Sequence, residues 1–384
     1  MCFFSGFKLK KIKIFVCCTE QSGENICSNI LSRMDLNHLI INGVCGKQSE
    51  KYITKKFYDL SFFKSIGLFE IILSISKYLK MIKNIKNEII QNNYDLVITI
   101  DSPDFNYNLA YKLRKSGYKK KIIHIVAPTV WAWRSYRAKK FASIFNEIFL
   151  LFSFEKKYFN FSKFNSTFIG HPIFHIKKRE KKEHYKYISF LPGSRQNEVL
   201  KLIKYFNYIE EYISNEKLNW KIFIPTLPHL VEIIKKNTIK WKTETIISTD
   251  QSKFDDYFND VFMSITCSGT ASLEIAKRNI PQLVIYKLNF FTELLLKPFV
   301  KVKYANLINI IGDKMIIPEI INSNLNKKNL LNAFLILSNS NENQNMQINE
   351  INNNLNKIVK DYSPYDVSVD RIKKLILIPE PIKN

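Results

Sequence analysis

Short apolar runs alternate with amphipathic stretches along this chain, and the alternation occurs twice over, which leaves few folds open to it. Lys13 to Val16 reads as a strand, residues 19–24 as a polar loop, and Asn25 to Met34 as a helix by its apolar spacing. Leu96 to Ile100, Asp101 to Asp104 and Tyr107 to Lys115 repeat the unit, and Ile122 to Val126 adds a strand. The pattern restarts at Ile188 to Leu191, Lys221 to Ile224 and Val261 to Ile265, then the helix Leu273 to Lys277 and the strand Leu283 to Tyr286. Strands alternating with helices predict an α/β fold, a parallel sheet covered on both faces. Ligands in such sheets sit beyond the carboxyl ends of the strands, where these polar loops fall.

At 384 residues the chain exceeds one ordinary core. The expected architecture is two Rossmann-like domains facing a cleft, 1–176 and 177–337, with an asparagine-rich helical segment, 338–384, free to pack back on the first domain. The charged run 177–183 serves as the linker, or equally as a solvated turn.

The net charge of +24 invites a nucleic-acid reading, but lysine, isoleucine, asparagine, phenylalanine and tyrosine share A- and T-rich codons. No RNA-binding signature, helix-turn-helix pattern or zinc-finger spacing accompanies the charge, so no nucleic-acid partner is expected. A nucleic-acid module would instead show steep salt dependence. A membrane surface is compatible with the charge. None of the six cysteines forms a CxxC pair or stands at zinc-ligand spacing from a histidine. Cys17, Cys18 and Cys267 fall at or near apolar runs, where cysteine behaves as a small hydrophobe, and a reduced, cytoplasmic setting is expected. The apolar run 14–18 is too short for a secretory core, and no run reaches the ~18 residues of a membrane span.

Five places carry candidate chemistry. Leu191-Pro192-Gly193-Ser194-Arg195 puts an arginine where a strand turns into a helix, and only eight of the 58 basic residues are arginine. Free N–H groups at a helix start favour an anion, and a guanidinium adds a bidentate clamp. An ordinary surface arginine fits the same residues. Ser268, Gly269 and Thr270 form a second such loop, with Glu274 placed in the first turn to accept sugar hydroxyls or to stabilise the helix dipole. Asp101 ends a strand and reads as a base, whereas Asp104 reads as a helix cap. Trp131, Trp133, Arg134 and Arg137 cluster as pocket lining or edge packing, and His171 follows Gly170 as a hydrogen-bond donor or weaker base.

Asp101-Ser102-Pro103-Asp104-Phe105-Asn106, Pro128 to Arg134 with its paired tryptophans, Phe154-Glu155-Lys156, Gly170-His171-Pro172, Leu191 to Arg195 and Ser268 to Glu274 occur in the order seen in lipid-A-disaccharide synthases. Over roughly residues 14–322 the chain resembles that family. The resemblance implies a GT-B fold and an inverting glycosyltransferase of lipid A and lipopolysaccharide synthesis in a Gram-negative bacterium. It would join UDP-2,3-diacylglucosamine to 2,3-diacylglucosamine 1-phosphate, giving the β-1,6-linked disaccharide and UDP. By motif, Asp101 matches the family's essential acceptor-side aspartate, with His171 as the second catalytic candidate. Ser194, Arg195, Ser268, Gly269, Thr270, Glu274 and Asn309 match the donor side. Glu20, Ser22, Gly23, Trp133 and Arg134 match acceptor-side or structural loops. The first loop departs from the family pattern at Thr19 and Glu24, the donor pocket at Ile308, and later positions at His175 and Asn322.

No cofactor and no metal are expected, since no paired acids stand at the donor loop. Acylated substrates imply peripheral binding to the cytoplasmic face of the inner membrane, through segments 66–73 or 290–299, the second flanked by Lys297, Lys301 and Lys303. A homodimer is compatible with the sequence. A UDP-N-acetylglucosamine 2-epimerase would share the fold and donor logic but need no acceptor.

Overall fold

The structure, a computed structural model, describes residues 11–63, 71–132, 134–267, 269–287 and 303–377, with 71–75 as backbone only. The chain forms two compact units. The first comprises residues up to Phe174 together with those from Lys360 onward, and the second is His175–Val359. The segment 338–384 is therefore divided between them.

In the first unit the strands are β1 (Ile12–Cys18), β2 (Leu39–Val44), β3 (Lys55–Tyr58), β4 (Leu96–Ile100), β5 (Lys121–Ile125), β6 (Glu147–Leu150) and β7 (Asn165–Phe168). They pair in parallel in the order β3-β2-β1-β4-β5-β6-β7. A parallel sheet buried on both faces needs continuous apolar strands, and all five residues of β4 are buried. Phe15 meets Tyr94 edge-on at 5.3 Å, and Ile82, Ile85 and Ile89 bring the helix Ile71–Gln91 onto the same core. Each such side chain contributes about 1.5–3 kcal/mol by leaving water.

The second unit holds β8 (Tyr187–Leu191), β9 (Lys221–Pro225), β10 (Thr245–Ser248), β11 (Val261–Thr266), β12 (Gln282–Tyr286) and β13 (Glu319–Ile321). Their order is β10-β9-β8-β11-β12-β13, again parallel. Phe190 stacks on Phe206 at 4.7 Å, joining β8 to the helix Gln196–Asn215. In both sheets the winding direction reverses once, between β1 and β4 and between β8 and β11. At those reversals Cys18 pairs with Ile100, and Leu191 with Thr266. The loops that follow these strands emerge side by side.

Three expectations change. The helix after β1 is Gln21–Leu31, four residues earlier than the apolar spacing suggests, and that after β4 is Pro103–Lys115. The run 177–183 is more than a solvated linker, because Arg179 donates to the carbonyls of Val261 and Phe262 and lies 4.2 Å over the Tyr185 ring. The asparagine-rich stretch is a helix as expected, Asn341–Ile358, but it packs within the second unit rather than on the first, Gln347 exchanging two hydrogen bonds with the backbone of Gln282, 2.7 and 3.0 Å.

Candidate active site loops

Asp101 leaves β4 with φ +55°, and Ser102 follows at +42°. Two left-handed residues in a row persist only where the surroundings hold them. Asn106 holds this turn, its buried amide donating to the carbonyls of Asp101 at 2.7 Å and Ile100 at 3.3 Å. The Asp101 N–H reaches across to Ile125 O. The carboxylate thereby turns toward the start of the helix Gln21–Leu31 after β1. There Ser22 Oγ donates to Oδ2, while the Ser102 N–H donates to Oδ1 at 2.9 Å. Ser102 Oγ in turn donates to Glu20 at 3.0 Å. Gly23 makes the approach feasible, since a Cβ there would stand 3.1 Å from both Asp101 Cβ and Ile100 O. Glu20, Ser22, Gly23 and Asp101 are thus one constellation. Asp104 does not cap its helix. Pro103 takes the first helical position, and Asp104 pairs with Arg137 at 2.5 Å.

Glu24 anchors the first turn of this helix from beneath. Its buried carboxylate accepts the N–H of Gly46 and of Ser49, 2.8 Å each, and the Cys18 thiol at 3.3 Å.

Arg134 takes a left-handed backbone at φ +51° in an exposed loop, and Trp133 lies outside the described residues. Trp131 meets Phe154 edge-on at 5.7 Å. Beneath them Glu155 is buried, and that burial pushes its carboxyl up to about 7 against the N–H groups of Phe152 and Leu151 and the Trp131 indole. Phe152 stacks on the His171 ring at 5.1 Å. Burial lowers His171 to about 4, so the ring is neutral at physiological pH. Its Nδ1 accepts the Ile173 N–H at 3.2 Å, which leaves the ring proton on Nε2. In this arrangement His171 is placed as a donor through Nε2.

In the second unit, Gly193 has φ +108°, and a Cβ there would meet Glu198 Oε2 at 2.7 Å. That turn delivers Arg195 to the start of the helix Gln196–Asn215, three-quarters exposed, with one hydrogen bond to Glu198 at 3.2 Å. Ser194 beside it is exposed. Across the sheet reversal, Gly269 at φ +115° and Thr270, both exposed, open the helix Thr270–Lys277. Ser268 lies outside the described residues. Glu274 is one turn further into that helix than expected, too far in to serve the dipole. Burial raises its carboxyl above the usual range, partly offset by Arg278.

Asn309 is fully buried. Its Nδ2 donates to Ile317 O and Glu319 Oε1, 2.7 Å each, and its Oδ1 accepts from the N–H groups of Ile316 and Ile317. Both donors and both lone pairs have protein partners, so Asn309 ties the loop before β13 in this structure. Four acting residues had no role assigned from sequence: Asn106, Glu24, Glu155 and Glu198. Asn106 and Glu155 stood inside the motifs and Glu24 in the first loop, while the signal for Glu198 was its place three residues after Arg195 on one helix face.

A family model described as lipid-A-disaccharide synthetase matches residues 14–365. A lipid-A-disaccharide synthase from Rickettsia bellii (strain OSU 85-389) is 34% identical over 326 residues, 81% of this chain and 85% of that protein. One from Rickettsia typhi is 32% identical over 384 residues, covering 95% of this chain and 100% of that protein. Among solved structures, UDP-GlcNAc 2-epimerase from Neisseria meningitidis bound to UDP-GlcNAc superposes with a TM-score of 0.61 at 12% identity, over 95% and 100% of the two chains. MurG from Acinetobacter baumannii gives 0.58 at 12% identity, over 95% and 99%. These two likenesses show the fold, GT-B in type.

Proposed function

The chain belongs to the lipid-A-disaccharide synthetase family, glycosyltransferases of lipid A synthesis, and from that premise we propose that it joins UDP-2,3-diacylglucosamine to 2,3-diacylglucosamine 1-phosphate with inversion at the anomeric carbon. The observation that carries this reading is that each sheet has its polar loops at its own reversal. Asp101 stands with Glu20 to Gly23 in the first unit, and Arg195 with Gly269 and Thr270 in the second. That is where open parallel sheets bind ligands.

In the reaction the acceptor 6-hydroxyl oxygen forms a bond to the anomeric carbon of the donor. The bond from that carbon to the diphosphate breaks, and its electron pair leaves with UDP. The hydroxyl proton passes to Asp101, whose oxygens are aimed by Ser22 and Ser102 and keep lone pairs for it. The Arg195 guanidinium and the N–H groups at the starts of Gln196–Asn215 and Thr270–Lys277 meet the charge on the leaving diphosphate. A preorganised donor of this kind contributes roughly 3 kcal/mol. With that charge answered by Arg195, the donor loops call for no metal.

Both proposed substrates carry acyl chains, so the proposed partner is the cytoplasmic face of the inner membrane. No described helix is long and apolar enough to cross a membrane. The segment 290–299, and the side chains of 66–73, lie outside the described residues. Within them, Lys77, Lys80 and Lys83 are exposed on Ile71–Gln91, opposite Ile82 and Ile85. Each contributes about 1 kcal/mol beside an anionic surface.

The test is UDP release with both acylated sugars present and with each omitted. Release is expected only with both. An epimer formed from the UDP-sugar alone would overturn the reading in favour of an epimerase.

A further inference from the structure

Cys18, Glu24 and Cys27 are all buried, and their ligand atoms lie within 4.8 Å of one another. Cys18 ends β1, and Glu24 and Cys27 stand three apart on the helix that follows, so one strand-to-helix turn brings them together. Cys18 Sγ and Glu24 Oε2 are 3.3 Å apart. Tetrahedral zinc, with bonds of about 2.3 Å to sulfur and 2.0 Å to oxygen, sets its ligand atoms about 3.5–3.8 Å apart. The cluster is already near that spacing.

We propose that this turn is a structural binding site for a soft divalent cation such as zinc, with Cys18, Glu24 and Cys27 as ligands. The Cys18 thiol proton now bridges sulfur to the Glu24 oxygen, and the cation takes its place. Two thiol protons are released, and two thiolates and a carboxylate bind the ion. The Gly46 and Ser49 N–H groups, each 2.8 Å from a Glu24 oxygen, fix that carboxylate in advance and offset the excess negative charge. Cys45, fully buried beside Gly46, makes the surroundings soft on that side as well. Imidazole is absent from the set, and thiolate selects zinc over magnesium or calcium. The ion would pin the end of β1 to its helix directly behind Gly23, the residue that packs against the Asp101 turn. It touches no reacting atom.

The full chain, purified under reducing conditions without chelator, is expected to carry about one zinc per chain. Chelator-stripped protein titrated with cobalt(II) should develop thiolate-to-cobalt charge-transfer absorbance and the visible bands of a tetrahedral ion. Cys18→Ser combined with Cys27→Ser should abolish both signals, whereas Cys267→Ala in the other unit should change neither. If the double variant does not fold, Cys27→Ala and the cobalt spectrum of the unaltered chain decide the matter. Zinc below about a tenth of an equivalent with no thiolate band, or a band that persists without Cys18 and Cys27, overturns the site.

Discussion

Asp101 holds its carboxylate on a left-handed backbone, with Ser22 donating to one oxygen and the Ser102 N–H to the other. Asp101→Asn keeps that shape and removes the proton acceptor. Turnover should fall ~10²–10⁴-fold, with UDP affinity measured by calorimetry unchanged. Near-normal turnover would move the base elsewhere. Among the described residues Arg195 hydrogen-bonds Glu198 alone and is three-quarters exposed, which suits its other N–H groups to a diphosphate. Arg195→Lys preserves charge and loses the fork. KM for the UDP-sugar should rise ~10-fold or more in a variant with an unchanged melting curve. Gly193→Ala puts a Cβ against Glu198 at a φ that side chains avoid. It should weaken UDP binding by dislodging the Arg195 partner, which Glu198→Gln would reproduce only in part. The positions of Asp101 and Arg195 were legible, an acid closing one strand and a scarce arginine opening a helix, although each residue also fits a structural use. Asn309 was not, because an amide that satisfies four backbone and side-chain partners looks the same in sequence as one that binds a sugar.

Among elements, the turn 151–158 and the segment around His171 set a pH response of two signs. Glu155, raised to about 7 by burial, is favoured in its neutral form when folded. The folded state then binds the extra proton, so this group's contribution is greatest below the ordinary carboxylate range and declines as pH rises through about 7. His171, lowered to about 4, works the other way: stability is lost as pH falls from the ordinary imidazole value toward about 4. Denaturant midpoints taken from pH 4 to 8 should show the alkaline decline shrink in Glu155→Gln and the acid decline shrink in His171→Gln. Identical slopes in wild type and variants would refute the assignment. Rate profiles should carry no His171 ionisation near neutrality. The parallel strands were readable from apolar runs, while helix starts were not. Gln21 and Pro103 begin helices in polar sequence, where a tight strand-to-helix turn and the packing of Gly23, rather than apolar period, fix the start.

At the scale of the molecule, the last described helix, Pro364–Leu377, belongs to the first unit. Arg371 donates two hydrogen bonds to fully buried Glu147, 2.7 and 2.8 Å, and Thr167 donates a third. Lys121 Nζ adds a bond to the Leu375 carbonyl at 2.7 Å. Arg371→Ala should cost roughly 2–3 kcal/mol by denaturant unfolding, less than a fully buried pair because Arg371 retains some exposure and Thr167 stays. Sequence could announce two domains, since the pattern of strands restarts, but a charge pair 224 residues apart leaves no local trace. The chain passes between the units twice, after Phe174 and after Val359. The second is therefore a guest inserted into an open host. No single cut yields two self-sufficient halves, and a gene fragment ending at the first passage encodes a host without its closing helix. Splicing residue 174 to residue 360 through a short linker should give a host that folds alone, whereas the N-terminal fragment by itself should not.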